Sequence, residues 1–312
     1  MRDTGPILVT GSHRSGTTWL GRVLAKAPRV YYVHEPFSVS DPPSRGVCNV
    51  KFHHWFTYVS SENEDEYYEP FKKLIECKYD WQGGWRDIES GREIRQVIGD
   101  LLAVFRQRLK RARPLLKDPI ALFSAEWLAK RFDAQVVILV RHPAAFISSL
   151  MKLGWEHPFG DFLAQHRLIN EQLQSFENDI RVYAEERKPV FDQGILLWRI
   201  IYGQVIRYSR NHPEWIVLRH EDLSRDPYGK FQELFSRLNL VFTERVRAAI
   251  HDFSGPGNPV DSTAPVGSEK TLRRDSKNNL WNWKTRLTGS EIAAIRRRVE
   301  DISGVFYTNE DW

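Results

Sequence analysis

The sequence predicts an α/β fold, a central parallel sheet with helices on both faces. Three observations predict it. Short apolar runs alternate with longer segments of helical period along the chain. Five of those runs end in polar residues, "VTGS", "VHEP", "LLKDP", "LVRHP" and "LRHED". The run "QVVILVR" (135–141) is continuously apolar and rich in β-branched residues, as a strand covered on both faces must be. Ligands of such sheets bind at the carboxyl ends of the strands, so five polar strand ends would converge on one site.

In order, "ILVT" (7–10) is the first strand, and the helix after it runs from Gly16 to Lys26 and stops near Pro28. "VYYVHE" (30–35) is the second strand. "EIRQVIGDLLAVFRQRLKR" spaces its apolar residues by three and four, an amphipathic helix. "PLLK" (114–117) is a short strand, followed by a helix from Ile120 to Phe132. After the strand 135–141, Pro143 suits the first position of the helix "PAAFISSLMKL". "GILLWRIIYGQVIRYSR" is a buried helix, "EWIVLRHEDL" a strand with its exit loop, and "YGKFQELFSRLNL" a helix. In "GSEIAAIRRRVEDI", Ile292, Ile295, Val299 and Ile302 share one helical face. Two stretches break this rhythm. Residues about 37–90 are rich in aromatics without a long helical period, and residues about 254–287 are rich in Gly, Pro, Ser and Asn. Loops of that length serve as functional lids or are disordered. The expectation is one domain over residues 1–312 carrying both insertions.

Composition narrows the function. A hydrophobic content of 41% with 27% charged residues is that of a globular protein with a packed core. The net charge of +5 suits an anionic ligand, while the dispersal of Lys and Arg argues against nucleic acid. Cys48 and Cys77 give neither a disulfide framework nor metal spacing, and the bare "FHHWF" has no third ligand to make a metal site. The start of the chain has no apolar stretch of the length expected of a signal peptide, and no window is long and apolar enough to span a membrane. A cytoplasmic protein is expected.

The stretch "GSHRSGTTWL" (11–20) then carries the chemistry. A glycine-rich turn between a strand and a helix N-terminus offers backbone N–H groups and the helix dipole to a phosphate. The fold class is therefore a P-loop-like three-layer α/β arrangement. A nucleoside triphosphatase needs a lysine after the second glycine, and an acid at a strand end to hold magnesium. Thr17 stands at the first place and Arg141 at the second. The site is expected to take an anion without a metal, and a P-loop small-molecule kinase is the weaker alternative.

"RSGTTWL" after a strand, followed by "VRHPAAFISSL", resembles the sulfotransferases that use 3'-phosphoadenosine-5'-phosphosulfate, more closely the carbohydrate-type and bacterial members than the aryl and steroid ones. The resemblance implies that His13, Arg14, Ser15, Gly16, Thr17 and Thr18 cradle the 5'-phosphosulfate. It implies that Arg141 and Ser149 hold the 3'-phosphate and that Trp19 stacks on adenine. Arg273 and Arg274 are weaker carry-overs to the 3'-phosphate. The product would be 3',5'-adenosine diphosphate. Arg14 stands where the aryl and steroid enzymes keep a lysine, and would stabilise charge on the bridging oxygen, since an arginine does not give up its proton. Glu35 is the candidate base, His34 its runner-up, and Lys117 a stabiliser of the transferring group. Asp118 either orients the acceptor or caps a helix before Pro119, the second being favoured. Trp281 and Trp283 would point the same way in an extended segment. Where the aryl enzymes supply a histidine, this chain reads "LKDP", which favours a carbohydrate or glycolipid hydroxyl over a phenol or other small molecule as acceptor.

Overall fold

The computed structural model describes residues 5–39, 46–85, 88, 90–260 and 272–312. Among them five strands form one parallel sheet: β1 (Ile7–Gly11), β2 (Val30–His34), β3 (Arg113–Lys117), β4 (Gln135–Val140) and β5 (Ile216–Arg219). Their order is β2-β3-β1-β4-β5. β1 is central, with Ile7 opposite Leu115 on one side and Gln135 on the other. The predicted α/β class with a parallel sheet is the one observed.

Strand order explains the layers. The chain leaves β1 toward the β2 edge, and every later connection steps the other way. Right-handed crossovers then place the first helix, α1 (Thr17–Leu24), on one face and the connections between β2 and β5 on the opposite face. The apolar clusters follow that division. Trp19, Leu20 and Val23 of α1 pack with Phe231 and Val246 from the helices Pro227–Arg237 and Glu244–Ser254. Phe123, Phe146, Trp198 and Tyr202 fill the other face. The reversal of direction falls at β1, and a reversal of this kind opens a ligand crevice at the strand's carboxyl end.

Local chemistry sets the helix limits. Pro143 opens the helix Pro143–Leu153, and Gly154 ends it in the left-handed region. Capping boxes from Ser90 to Glu93 and from Thr288 to Glu291 start the helices Gly91–Leu109 and Gly289–Ser303. Gly21 has a packing reason. A Cβ there would stand 2.9 Å from Cγ of Lys117, so only glycine lets that lysine run beneath α1.

The two irregular stretches correct the sequence reading. The aromatic insert contains an eleven-residue helix, Asp65–Ile75, with Pro70 inside it. Its Phe71 joins Phe37, Phe52 and Phe56 in the core, so the described part of the insert is packed structure. Near the C-terminus, Trp281 closes a 3-10 turn and Trp283 opens a short helix, Trp283–Arg286, where an extended segment was expected. The middle of that loop, 261–271, and residues 40–45, 86–87 and 89 of the insert lie outside the described residues.

Candidate active site

The loop between β1 and α1 is shaped by its backbone. Gly16, the N-cap of α1, has φ 97°, supplies no side-chain cap, and is followed by no acid in the first turn. The N–H groups opening α1 therefore face outward without a carboxylate or hydroxyl cap, the arrangement that binds anions. A Cβ on Gly16 would lie 2.5 Å from Nδ1 of His220, so the loop closes on a side chain from the end of β5. Arg14, at φ 64°, is also left-handed, an unusual conformation for a side chain of that size.

Hydrogen bonds tie this loop to the end of β4. The Ser15 hydroxyl donates to the Ser12 carbonyl at 2.6 Å. The Ser12 hydroxyl is 2.8 Å from the Tyr202 hydroxyl, which also accepts the Arg141 N–H at 3.0 Å. The Trp198 indole N–H donates to the Arg141 carbonyl at 2.9 Å. Trp198 and Tyr202, on the buried helix Val190–Asn211, thus fix the loop and the β4 terminus relative to each other. A second link is direct. Nε of Arg14 donates to the Ser149 hydroxyl at 3.1 Å, joining the loop to the helix that follows Arg141. The side chain of Arg141 is mostly buried, with Nε 3.8 Å from Glu221. Glu221 also accepts the His142 N–H at 3.1 Å and the Tyr307 hydroxyl at 2.9 Å, while Asp222 pairs with Arg219.

On the β2–β3 side, Glu35 follows the last strand residue at φ 42°. That left-handed turn ends the strand alternation and brings the Glu35 carboxylate to the ammonium of Lys117, whose side chain is fully buried while that of Glu35 remains one-third exposed. Burial holds the Lys117 ammonium below the usual lysine range, with Glu35 opposing that shift. Asp118 caps the 3-10 helix Pro119–Ser124, accepting Ile120 N–H at 3.0 Å and Phe37 N–H at 2.6 Å. Burial, reinforced by the charge of Glu35, pushes the Asp118 carboxyl up to about 7. Through Phe37, Asp118 fixes the segment just after Glu35. His34 is exposed, with Nδ1 3.3 Å from the Tyr32 hydroxyl.

The insert reaches the loop as well. His13 is ringed by Trp155 at 5.2 Å, Phe146 at 5.4 Å and Trp55 at 5.7 Å between ring centroids. Burial, with Arg14 beside it, lowers the His13 pKa to about 3, so its ring is neutral in ordinary buffers. Trp155 keeps 36% of its surface exposed and Trp55 is half-buried, which leaves an aromatic wall beside the loop.

The remaining expected residues lie as follows. Trp19 is buried, with its ring edge-on to Phe231 at 5.5 Å and His220 at 5.8 Å. Thr17 is buried and Thr18 half-buried at the start of α1. Arg273 is exposed and pairs with Asp252 at 3.1 Å, and Arg274 is half-buried, its N–H bonded to the Phe253 carbonyl. Trp283 stacks on His142 at 4.9 Å, next to Arg141. Sequence reasoning missed Tyr202, Trp198 and the wall of Trp55 and Trp155. One signal was available for the first two: a Tyr and a Trp in an otherwise aliphatic helix need hydrogen-bond partners once buried.

The uncapped start of α1, with Arg14 beside it, fits an anionic group. The buried Trp19 indole N–H and Nδ1 of His13 find no hydrogen-bond partner among the described residues, and both flank the uncapped start of α1. Comparison with known proteins places the chain. A model of the sulfotransferase family matches residues 6–244, and the chain belongs to that family. It is an enzyme of sulfuryl transfer acting on hydroxyl-bearing acceptors. No curated protein sequence matches it significantly. Likeness to solved structures is low. The sulfotransferase domain of the Synechococcus PCC 7002 olefin synthase is 16% identical at a TM-score of 0.49, covering 99% of this chain and 97% of that one. The sulfotransferase domain of the curacin biosynthetic pathway is 15% identical at 0.45, covering 96% and 99%. Mouse sulfotransferase SULT7A1, complexed with PAP, is 12% identical at 0.43, covering 97% and 84%.

Proposed function

We propose that the chain, acting as one domain in the cytoplasm, transfers a sulfuryl group from 3'-phosphoadenosine-5'-phosphosulfate to a hydroxyl of a carbohydrate or glycolipid. The observation that carries this reading is the hydrogen bond from Arg14 to Ser149. It joins the loop suited to a 5'-phosphosulfate to the helix suited to a 3'-phosphate, over the clasp that Tyr202 makes from Ser12 to Arg141. Cys48 and Cys77 are both buried and form no disulfide, which suits a reducing compartment.

In this reading the N–H groups of Gly16, Thr17 and Thr18 hold the sulfated end, together with the hydroxyls of Thr17 and Thr18, while Ser15, whose hydroxyl and N–H both donate to the Ser12 carbonyl, braces the loop. His13 shapes the outer side of the loop. Arg141 and Ser149 hold the 3'-phosphate, Arg273 and Arg274 add positive charge near it, and Trp19 supports the adenine. The donor, when bound, supplies the sulfuryl group on a phosphate leaving group. Glu35 takes the proton from the acceptor hydroxyl at its carboxylate. Lys117, paired with Glu35, orients that carboxylate and offers an N–H to charge developing on the transferring oxygens. Arg14 does the same at the bridging oxygen without exchanging a proton.

The acceptor class rests on Trp55 and Trp155, partly exposed rings beside the loop on which a sugar face stacks. A transfer assay with labelled donor tests the proposal. Glycosides and glycolipids should be sulfated well above simple phenols. Phenols preferred over every sugar would overturn the acceptor assignment, and no transfer to any hydroxyl would overturn the reaction.

A further inference from the structure

The helix Gly91–Leu109 carries a feature that sulfuryl transfer does not use. Ile94, Ile98, Leu102, Phe105 and Leu109 are between 39% and 69% exposed. Their spacing of four, four, three and four residues puts all five on one face, a stripe about 22 Å long. The helix packs through the buried Val97 and Val104, which lie to one side of this stripe. Five large apolar side chains in line on an exposed helix are far from the scattered apolar residues of an ordinary surface.

The charges beside the stripe indicate what covers it. Arg92, Arg95, Arg106 and Arg108 are exposed on this helix, and Lys110 and Arg111 are exposed just past its end. Its two acids, Glu93 and Asp100, are half-buried, and Glu93 is engaged in the capping box. The exposed charge of the element is therefore entirely positive. A second copy laid on the stripe would set arginines against arginines. An anionic lipid surface instead accepts the apolar side chains among its acyl chains and the arginines among its headgroups. No helix among the described residues is long and apolar enough to cross a membrane, so the attachment would be peripheral.

We propose that the Gly91–Leu109 helix seats this enzyme on an anionic lipid bilayer, with the Ile94–Leu109 stripe inserted and the arginines on the headgroups. The proposal stands apart from the choice of acceptor.

The test is co-sedimentation of the full chain with vesicles of equimolar phosphatidylglycerol and phosphatidylcholine, against vesicles of phosphatidylcholine alone. Binding is expected to the anionic vesicles and to be far weaker to the neutral ones. Neutralising Arg95, Arg106 and Arg108 with glutamine should weaken it about fivefold per arginine. The variant I98S/L102S/F105S should lose at least about tenfold. These side chains are exposed, and unchanged binding of 3',5'-adenosine diphosphate would show that the variants fold. Absence of vesicle binding by the wild type overturns the proposal, as does a stripe-dependent dimer in sedimentation velocity that does not bind vesicles. Binding that survives loss of the stripe but needs the arginines also overturns it, because that pattern marks a generic acidic surface.

Discussion

Replacing Tyr202 by Phe removes one oxygen from a fully buried ring and probes the link between the two anion-holding segments. The hydroxyl is 2.8 Å from the Ser12 hydroxyl and 3.0 Å from the Arg141 N–H, and both serine and tyrosine are inaccessible to solvent. The phenyl ring keeps the packing, so the loss is polar. The Arg141 N–H is left without its acceptor at about 1–3 kcal/mol, and the Ser12 contact contributes about 1 kcal/mol more. The expected destabilisation is about 2–4 kcal/mol, a fall in Tm of about 3–6 °C in a chain of this size. Thermal and urea unfolding measure it. A double-mutant cycle with Ser12→Ala should return a coupling of about 1 kcal/mol, since the two hydroxyls share one bond. A change within about 0.5 kcal/mol for Tyr202→Phe, with no coupling, would mean that the clasp does not exist and that loop and β4 are positioned by something else.

Three further outcomes follow from the same geometry. Glu35→Gln should lower the transfer rate by about 10²–10⁴-fold while 3',5'-adenosine diphosphate binds as before, and a rate within about threefold of wild type would remove Glu35 as the base. Gly16→Ala, which demands φ 97° of a side chain and places its Cβ 2.5 Å from His220, should abolish nucleotide binding in calorimetry, and normal binding would refute the loop conformation. Asp118 binds its proton more tightly folded, at about 7, than unfolded near 3.8, so the native state holds more protons between those values. Stability should therefore fall as pH rises from about 4 to about 7, by an amount on the order of a few kcal/mol. Asp118→Asn should flatten that slope in urea titrations, whatever it does to absolute stability, and an unchanged slope would assign the effect elsewhere.

Much of the scaffold was legible because its signals are local. The continuous run at β4 and Pro143 after it each fix one element from its own residues, and the helix Pro143–Leu153 falls where its sequence places it. The helix Asp65–Ile75 escaped because Pro70 interrupts it, although Tyr67, Phe71, Leu74 and Ile75 keep a helical spacing. In the candidate site, the glycine loop and the Arg141–Ser149 spacing are legible as motifs. The left-handed turn at Glu35 is not, since nothing in "VHEPF" announces a positive φ, yet it is what aims the carboxylate at Lys117. Tyr202 and Glu221 lie far in sequence from the groups they hold, and only the fold brings them there.

The account rests on one site gripping a nucleotide by phosphates at both ends, and calorimetric titration tests that most directly. Wild-type protein should bind 3',5'-adenosine diphosphate about 10–100-fold more tightly than 5'-AMP, the contribution of one or two charge-assisted hydrogen bonds to the 3'-phosphate. Arg141→Ala should bring the two ligands close to parity. Equal affinity of the wild-type protein for both nucleotides would contradict the account.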